Sequence, residues 1–164
     1  MITIRKYQKK DSVAVGKLIA DTFLKYNLSY ASPEEQQKLL GPFRNARSKS
    51  QSHQDEIAKL ISAPMVFVAV QDKKKIVGVL RGSKEKMRSL FVLGNSHRNG
   101  FGRKLVMRFE KECVSQNSQV IKLMATVYAI PFYQKMGYKK TTGIRKMNCL
   151  DGTGLPYQPM KKII

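Results

Sequence analysis

The segment HRNGFGRKLV, residues 97–106, sets glycines at 100 and 102 between arginines at 98 and 103, and an apolar helical pattern follows at once. The first turn of a helix has backbone N–H groups without intrahelical acceptors, and the helix dipole favours negative charge there. Gly100 and Gly102 carry no Cβ, so that backbone can come close to an anion. Arg98 and Arg103 add side-chain donors. This order of residue types suits phosphate. Two familiar phosphate loops are excluded: Arg103-Lys104-Leu105 follows the last glycine, where a P-loop has Lys-Ser/Thr, and the third glycine and later acid of a dinucleotide fingerprint are missing. A plain tight turn before a helix is the competing reading.

Little else in the chain has the makings of a reactive site. Cys113 and Cys149 fit no metal-ligand spacing and are too few for a disulfide framework, so they read as buried free thiols. With His53 and His97 the only histidines, no metal site is expected. No Ser-His or Cys-His arrangement suggests a protein nucleophile. The 31 Lys and Arg against 11 Asp and Glu give a formal net charge of +20, which raises the question of an anionic partner. The basic residues are dispersed, with ten in residues 1–50, nine in 51–100 and ten in 101–150, and no basic arm stands out. The acids are uneven: none lies between Glu85 and Glu110, where Lys86, Arg88, Arg98, Arg103, Lys104 and Arg108 fall.

The elements that must hold this loop follow from periodicity. MITIRKY reads as a first strand, and Asp11 or Ser12 can cap a helix with Val15, Leu18, Ile19, Phe23 and Tyr26 on its apolar face. SPEE, residues 32–35, is a capping box with proline at the first helical position, and that helix stops at Gly41-Pro42. RNARSKSQSHQ reads as a mobile surface loop, and DEIAKLIS as a further helix. The runs 65–70 and 75–82 form a hairpin, with 87–93 as a third antiparallel strand. Leu105, Val106, Phe109 and Cys113 mark one face of the helix after the glycines. Residues 120–127 make a buried strand, and 130–137 a short helix ended by Gly137. Two closing strands, near 138–149 and 156–163, are separated by DGTG. The class is α/β with a mixed, mostly antiparallel sheet. The size suits one domain over residues 1–164. The chain shows neither a membrane-spanning run nor a signal peptide, so a cytoplasmic protein is expected.

LFVLGNSHRNGFGRKLV (90–106) followed by AIPFYQKMGY (129–138) resembles the GNAT superfamily of N-acetyltransferases. In that family a Gln/Arg-x-x-Gly-x-Gly/Ala loop after the fourth strand binds acetyl-CoA, and an FY-x-K-x-G-F/Y segment is common on the fourth helix. Here His97 occupies the Gln/Arg position, and Gly94 stands where proline is usual. The resemblance implies a GNAT fold, a mixed sheet of about six to seven strands flanked by about four to five helices. It implies acetyl-CoA as acetyl donor, with the backbone of Phe91, Val92 and Leu93 along the pantetheine arm. It also implies a pyrophosphate cradle of His97, Arg98, Asn99, Gly100, Phe101, Gly102 and Arg103. Tyr133 falls at the position of the general acid that protonates the departing thiolate; Tyr128 and Tyr138 read as core or pocket wall. A primary amine of unspecified class attacks the thioester directly. No base is assigned: Glu85 lies in a turn, and Asp21, Glu34, Glu35, His53, Asp55 and Glu56 read as surface or helix-start residues. The rivals are a basic nucleic-acid-binding module, disfavoured by the dispersal of charge and the lack of interleaved aromatics, and a CoA sensor without turnover.

Overall fold

The computed structural model describes residues 1–164. An eight-stranded sheet runs in the order β1-β2-β3-β4-β5-β8-β6, with β7 paired to β8. The strands are β1 (Ile2–Lys6), β2 (Met65–Gln71), β3 (Lys75–Ser83), β4 (Lys86–Val92), β5 (Val120–Thr126), β6 (Lys139–Lys140), β7 (Arg145–Cys149) and β8 (Gly152–Ile163). All pairings are antiparallel except β4 with β5. Five helices flank it: α1 (Ser12–Thr22), α2 (Pro33–Leu40), α3 (Gln51–Ile61), α4 (Phe101–Ser115) and α5 (Ile130–Lys135).

Strand alternation divides the core in two. Phe67, Leu80, Ile121, Leu123 and Met160 pack under α4 and α5 with Leu105, Val106, Phe109 and Cys113. Their strand neighbours Val66, Val68 and Val79, with Leu155, pack under α1, α2 and α3 with Val15, Leu18, Ile19, Leu39 and Ile61. Local chemistry bounds the helices as the residues dictate. Ser32 Oγ accepts from the Glu35 N–H while a Glu35 oxygen accepts from the Ser32 N–H, a complete capping box. α5 closes on Gly137 at φ 89°, with Tyr138 N–H donating to Tyr133 O and Gly137 N–H to Gln134 O.

Four expectations are corrected. The sheet has eight strands rather than six or seven, because residues 138–149 break into β6 and β7 around a bend at Thr142. DGTG is not a separating loop: β8 starts at Gly152. The Ser-rich stretch 44–54 is not loop throughout, since α3 already starts at Gln51, and Arg47 within it makes a two-pronged ion pair with Asp21. Asp11 does not cap α1. It is buried and holds Arg5 at 2.7 and 2.9 Å and the Gln8 N–H at 2.8 Å, and the Arg5 hydrogen bond keeps its carboxyl below the usual range.

Candidate functional site

β4 and β5 are hydrogen-bonded neighbours for a short distance only. Their register is Lys86 with Lys122 and Met87 with Leu123, and nothing pairs beyond it. The pairing of β4 with β3 supplies a cause. It jumps from Gly82–Met87 to Arg81–Ser89, leaving Arg88 as the extra residue of a bulge directly after the last residue bonded to β5. A bulge bends its strand and re-aims the residues after it. The rest of β4 therefore has a free edge. Leu93 N–H donates to Val77 O at 2.9 Å. Antiparallel alternation then turns the Phe91 backbone toward β3 as well, and leaves Leu90 and Val92 facing the gap. Of the three residues expected along a pantetheine arm, Val92 alone presents its backbone there. Leu90 joins it, a neighbour that the motif did not single out.

α4 starts beside this edge. Its first helical bond is Lys104 N–H to Gly100 O, and the N–H groups of Phe101, Gly102 and Arg103 have no acceptor in the protein. No side chain caps them. The loop turns through positive φ at Arg98 (63°) and Gly100 (77°), and a Cβ at Gly100 would meet no atom within 4 Å. Gly100 therefore serves the conformation. Gly102 serves packing instead, because its missing Cβ would lie 3.3 Å from the Phe132 ring and 3.7 Å from Val92. The Phe101 side chain is buried and anchors the turn, while Arg98, Asn99, Arg103 and Lys104 are exposed and none forms an ion pair. The acid-free window does not converge here as a whole. Lys86 lies at the far end of β4, roughly 20 Å from Val92 at strand rise, and Arg108 is spent on Glu112 at 2.7 Å.

His97 behaves differently from a pyrophosphate ligand. Its Nε2–H donates to Val92 O at 2.7 Å, and its ring lies on Tyr26 with centroids 4.7 Å apart. The side chain braces the loop against β4. Gly94 belongs to the same arrangement, because a Cβ there would overlap the Tyr26 hydroxyl. Tyr26 itself comes from a π-helical turn, Phe23–Asn27, that prolongs α1. Apolar spacing placed Tyr26 on the core face of α1 and carried no signal for this turn. A cleft of about 130 Å³ opens next to it, lined by Tyr26, Asn27, Ser29, Tyr30, Thr126, Val127, Tyr128 and Pro156. Thr126 donates to the Asn27 side chain at 2.8 Å, and no carboxylate lines the cleft.

α5 lies against the glycine loop through Phe132, which packs edge-on to Tyr133 at 5.2 Å. Tyr133 is 6% exposed, and burial pushes its phenol well above the ordinary value. Its hydroxyl has no hydrogen-bond partner, yet it is not among the sealed unsatisfied atoms. Tyr138 is core and donates to Glu110 at 3.1 Å; Tyr128 is 56% exposed and walls the cleft. Glu85, Asp21, Glu34, Glu35, His53, Asp55 and Glu56 are all absent from the cleft lining. No three His, Cys, Asp or Glu side chains converge as a metal site would require, and no helix is long and apolar enough to cross a membrane.

Comparison with known proteins agrees with this arrangement. The family model described as an acetyltransferase (GNAT) domain matches residues 30–164. A GCN5-related N-acetyltransferase from Rhodopseudomonas palustris superposes with a TM-score of 0.81 at 17% identity, over 99% of this chain and 95% of that one. The PaiA N-acetyltransferase from Thermoplasma acidophilum, in complex with coenzyme A, gives 0.74 at 17% identity over 100% and 99%. YncA from Salmonella typhimurium, a putative acetyltransferase with its cofactor acetyl-CoA, gives 0.63 at 16% identity over 99% and 94%. No curated protein matches the chain by sequence. A parted strand pair with a glycine-turned helix start beside it, on a sheet of this order and with a family match over most of its length, makes the chain a member of the GNAT acetyltransferase family.

Proposed function

We propose that the protein transfers an acetyl group from acetyl-CoA directly to a primary amine. The observation that carries this is the parting of β4 from β5 beside the unbonded N–H groups of Phe101, Gly102 and Arg103. Acetyl-CoA is a substrate here. It supplies a thioester carbon open to attack and a thiolate that leaves. The cradle for its pyrophosphate is the backbone of Asn99 to Arg103, with the Arg98 and Arg103 guanidinium groups at its sides. The edge groups of Leu90 and the Val92 N–H suit the amide-rich pantetheine arm, Val92 O being held already by His97, and a donor on that edge stabilises negative charge on the thioester oxygen.

The amine nitrogen forms its bond to the acyl carbon as the carbon–sulfur bond breaks. Tyr133 is the proton donor to sulfur in this scheme, and its burial keeps the phenol protonated at neutral pH. The acceptor amine takes the cleft between Tyr26, Tyr30 and Tyr128. Since no carboxylate lines that cleft, the amine arrives neutral, the proton it sheds as the amide forms passes to water, and Tyr133 recovers from water the proton it gave to sulfur. For an alkylamine of pKa about 10 the neutral fraction grows about tenfold per pH unit below that value. Free-thiol release with alkylamines should rise accordingly from pH 6 to 8. Titration with acetyl-CoA followed by that assay over amine classes tests the proposal. Micromolar binding with turnover supports it. Binding without turnover for any amine class would leave a CoA sensor, and no binding would overturn the reading.

A further inference from the structure

The charge of +20 is not absorbed by the acetyl-CoA site, and strand register shows where part of it goes. Lys86 on β4 is opposite Lys122 on β5, Lys122 is opposite Lys161 on β8, and Lys161 is opposite Lys139 on β6. Four lysines thus stand in one line across four adjacent strands. They share a face, because their strand neighbours Met87, Leu123, Met160 and Tyr138 all point into the core under α4. All four are exposed, and none forms an ion pair. Arg88 lies on the same side, close enough to help depress the pKa of the half-buried Arg81 guanidinium, after desolvation itself. The nearest acids are turned elsewhere: Glu110 holds Lys162 on the α4 face, and Glu85 lies toward Cys113 there.

Like charges directly opposite across strands are unfavourable in the free protein, so the row calls for a counter-charge. We propose that it is a docking surface for the phosphate backbone of a nucleic acid. At strand spacing the row is about 14 Å long, and a nucleic-acid strand presents one charge per about 3.4 Å of axis, or about four over that length. An acidic peptide would add to a sheet edge, but the edge strand here, β6, has two residues, and the row runs across the strands rather than along one. An anionic membrane surface would want an apolar helix face to insert, and the row stands on strands. No aromatic residue interrupts the row, so binding rests on phosphate contacts and is independent of sequence. Dispersal along the chain argued against a nucleic-acid partner; pairing gathers what the chain order scatters.

The test is fluorescence anisotropy of a random-sequence DNA duplex of about 20 base pairs at several salt concentrations. In the variant carrying Lys86→Gln, Lys122→Gln, Lys139→Gln and Lys161→Gln, the slope of log affinity against log salt should shrink in magnitude by about 3 to 4. Affinity at 0.1 M salt should then fall on the order of 10³-fold, since that slope difference acts over the decade up to about 1 M. A control with Lys9→Gln, Lys10→Gln, Lys73→Gln and Lys74→Gln loses the same charge from exposed lysines elsewhere and should keep most of the slope. Equal losses in both variants would reduce the effect to net charge and overturn the row. Absence of duplex binding, or binding only to vesicles containing phosphatidylserine, would overturn it as well. Acetyl-CoA titration of the row variant should match the parent. That readout stands apart, because loss of acetyl-CoA binding in the parent sinks the proposed function and leaves the docking surface standing.

Discussion

The two ends of β4 make opposite uses of the same strand. At the Lys86 end β5 is bonded to it, backbone donors are spent, and side chains are forced into register, lysine opposite lysine. At the Val92 end β5 has parted, side chains need match nothing, and backbone groups are left to bind a ligand. The bulge at Arg88 separates the two regimes. Pairing therefore creates a surface defined by charge, while parting creates a site defined by amide geometry. Each variant below loads one end and leaves the other as reference.

Among single substitutions the largest effect belongs to the parted end. Tyr133→Phe keeps the ring and its edge-on packing against Phe132 and Tyr138 but removes the proton. Turnover should fall on the order of 10²-fold, the low end for a lost general acid. Acetyl-CoA affinity should change by less than about fivefold, because one hydrogen bond to a neutral thioester is worth about 1 kcal/mol or less. Single-turnover rates separate this from slow product release. Full single-turnover activity would return Tyr133 to core packing.

Arg98→Gln and Arg103→Gln come next. Both guanidinium groups are exposed and unpaired beside the open N–H groups, so each should weaken acetyl-CoA binding by about tenfold, the scale of one charge-assisted hydrogen bond. Lys86→Gln removes the same charge at the other end of β4 and should leave the dissociation constant unchanged. A comparable loss from Lys86→Gln in calorimetric titration would mean that the whole acid-free window acts as one field, erasing the distinction between the ends.

How much of this contrast is legible in the chain depends on the range of the interactions. The capping box at Ser32 and Glu35, the core face Leu105, Val106, Phe109 and Cys113, and the stop at Gly137 are local, and each stands where its residues put it. The glycine loop is also local, and it pointed to the helix start. The row of lysines depends on pairings between residues far apart in sequence, which no window along the chain contains. The break of residues 138–149 into β6 and β7 escapes for a similar reason, since both lean on β8, which comes after them. His97 was misleading because the motif gives its position and not the direction of its ring. That direction is set by Val92 O and by Tyr26, brought from the far end of α1.

Gly94 sharpens the parted end further. Gly94→Ala would put a Cβ where the Tyr26 hydroxyl lies, so Tyr26 must move and the cleft beside it changes shape. KM for the amine should rise by about tenfold, the worth of about 1.4 kcal/mol of lost positioning, with acetyl-CoA affinity close to the parent. An acetyl-CoA defect as large as the amine defect would show that the two substrates do not occupy separate regions.

The smallest effect comes from two neighbours on β8 that face opposite ways. Lys162 turns to the α4 face, where its Nζ lies 2.9 Å from a Glu110 oxygen and 5.6 Å from the centre of the Tyr138 ring. Both partners of that ion pair are largely covered, so Lys162→Gln should cost about 1 kcal/mol. For a chain of this size that lowers Tm by about 2–4 °C. Lys161 turns to the open face between Lys122 and Lys139 and touches no acid. Lys161→Gln relieves two like-charge neighbours and should raise stability by a few tenths of a kcal/mol at low salt. That gain should fade toward 1 M salt, where the Debye length shrinks to about 3 Å, whereas the loss at Lys162, being partly buried, should persist. Paired melts at low and high salt read both signs at once. If Lys161→Gln destabilised the protein as Lys162→Gln does, the lysines would not repel one another across the strands, and the paired end of β4 would lose the electrostatic tension that asks for a partner.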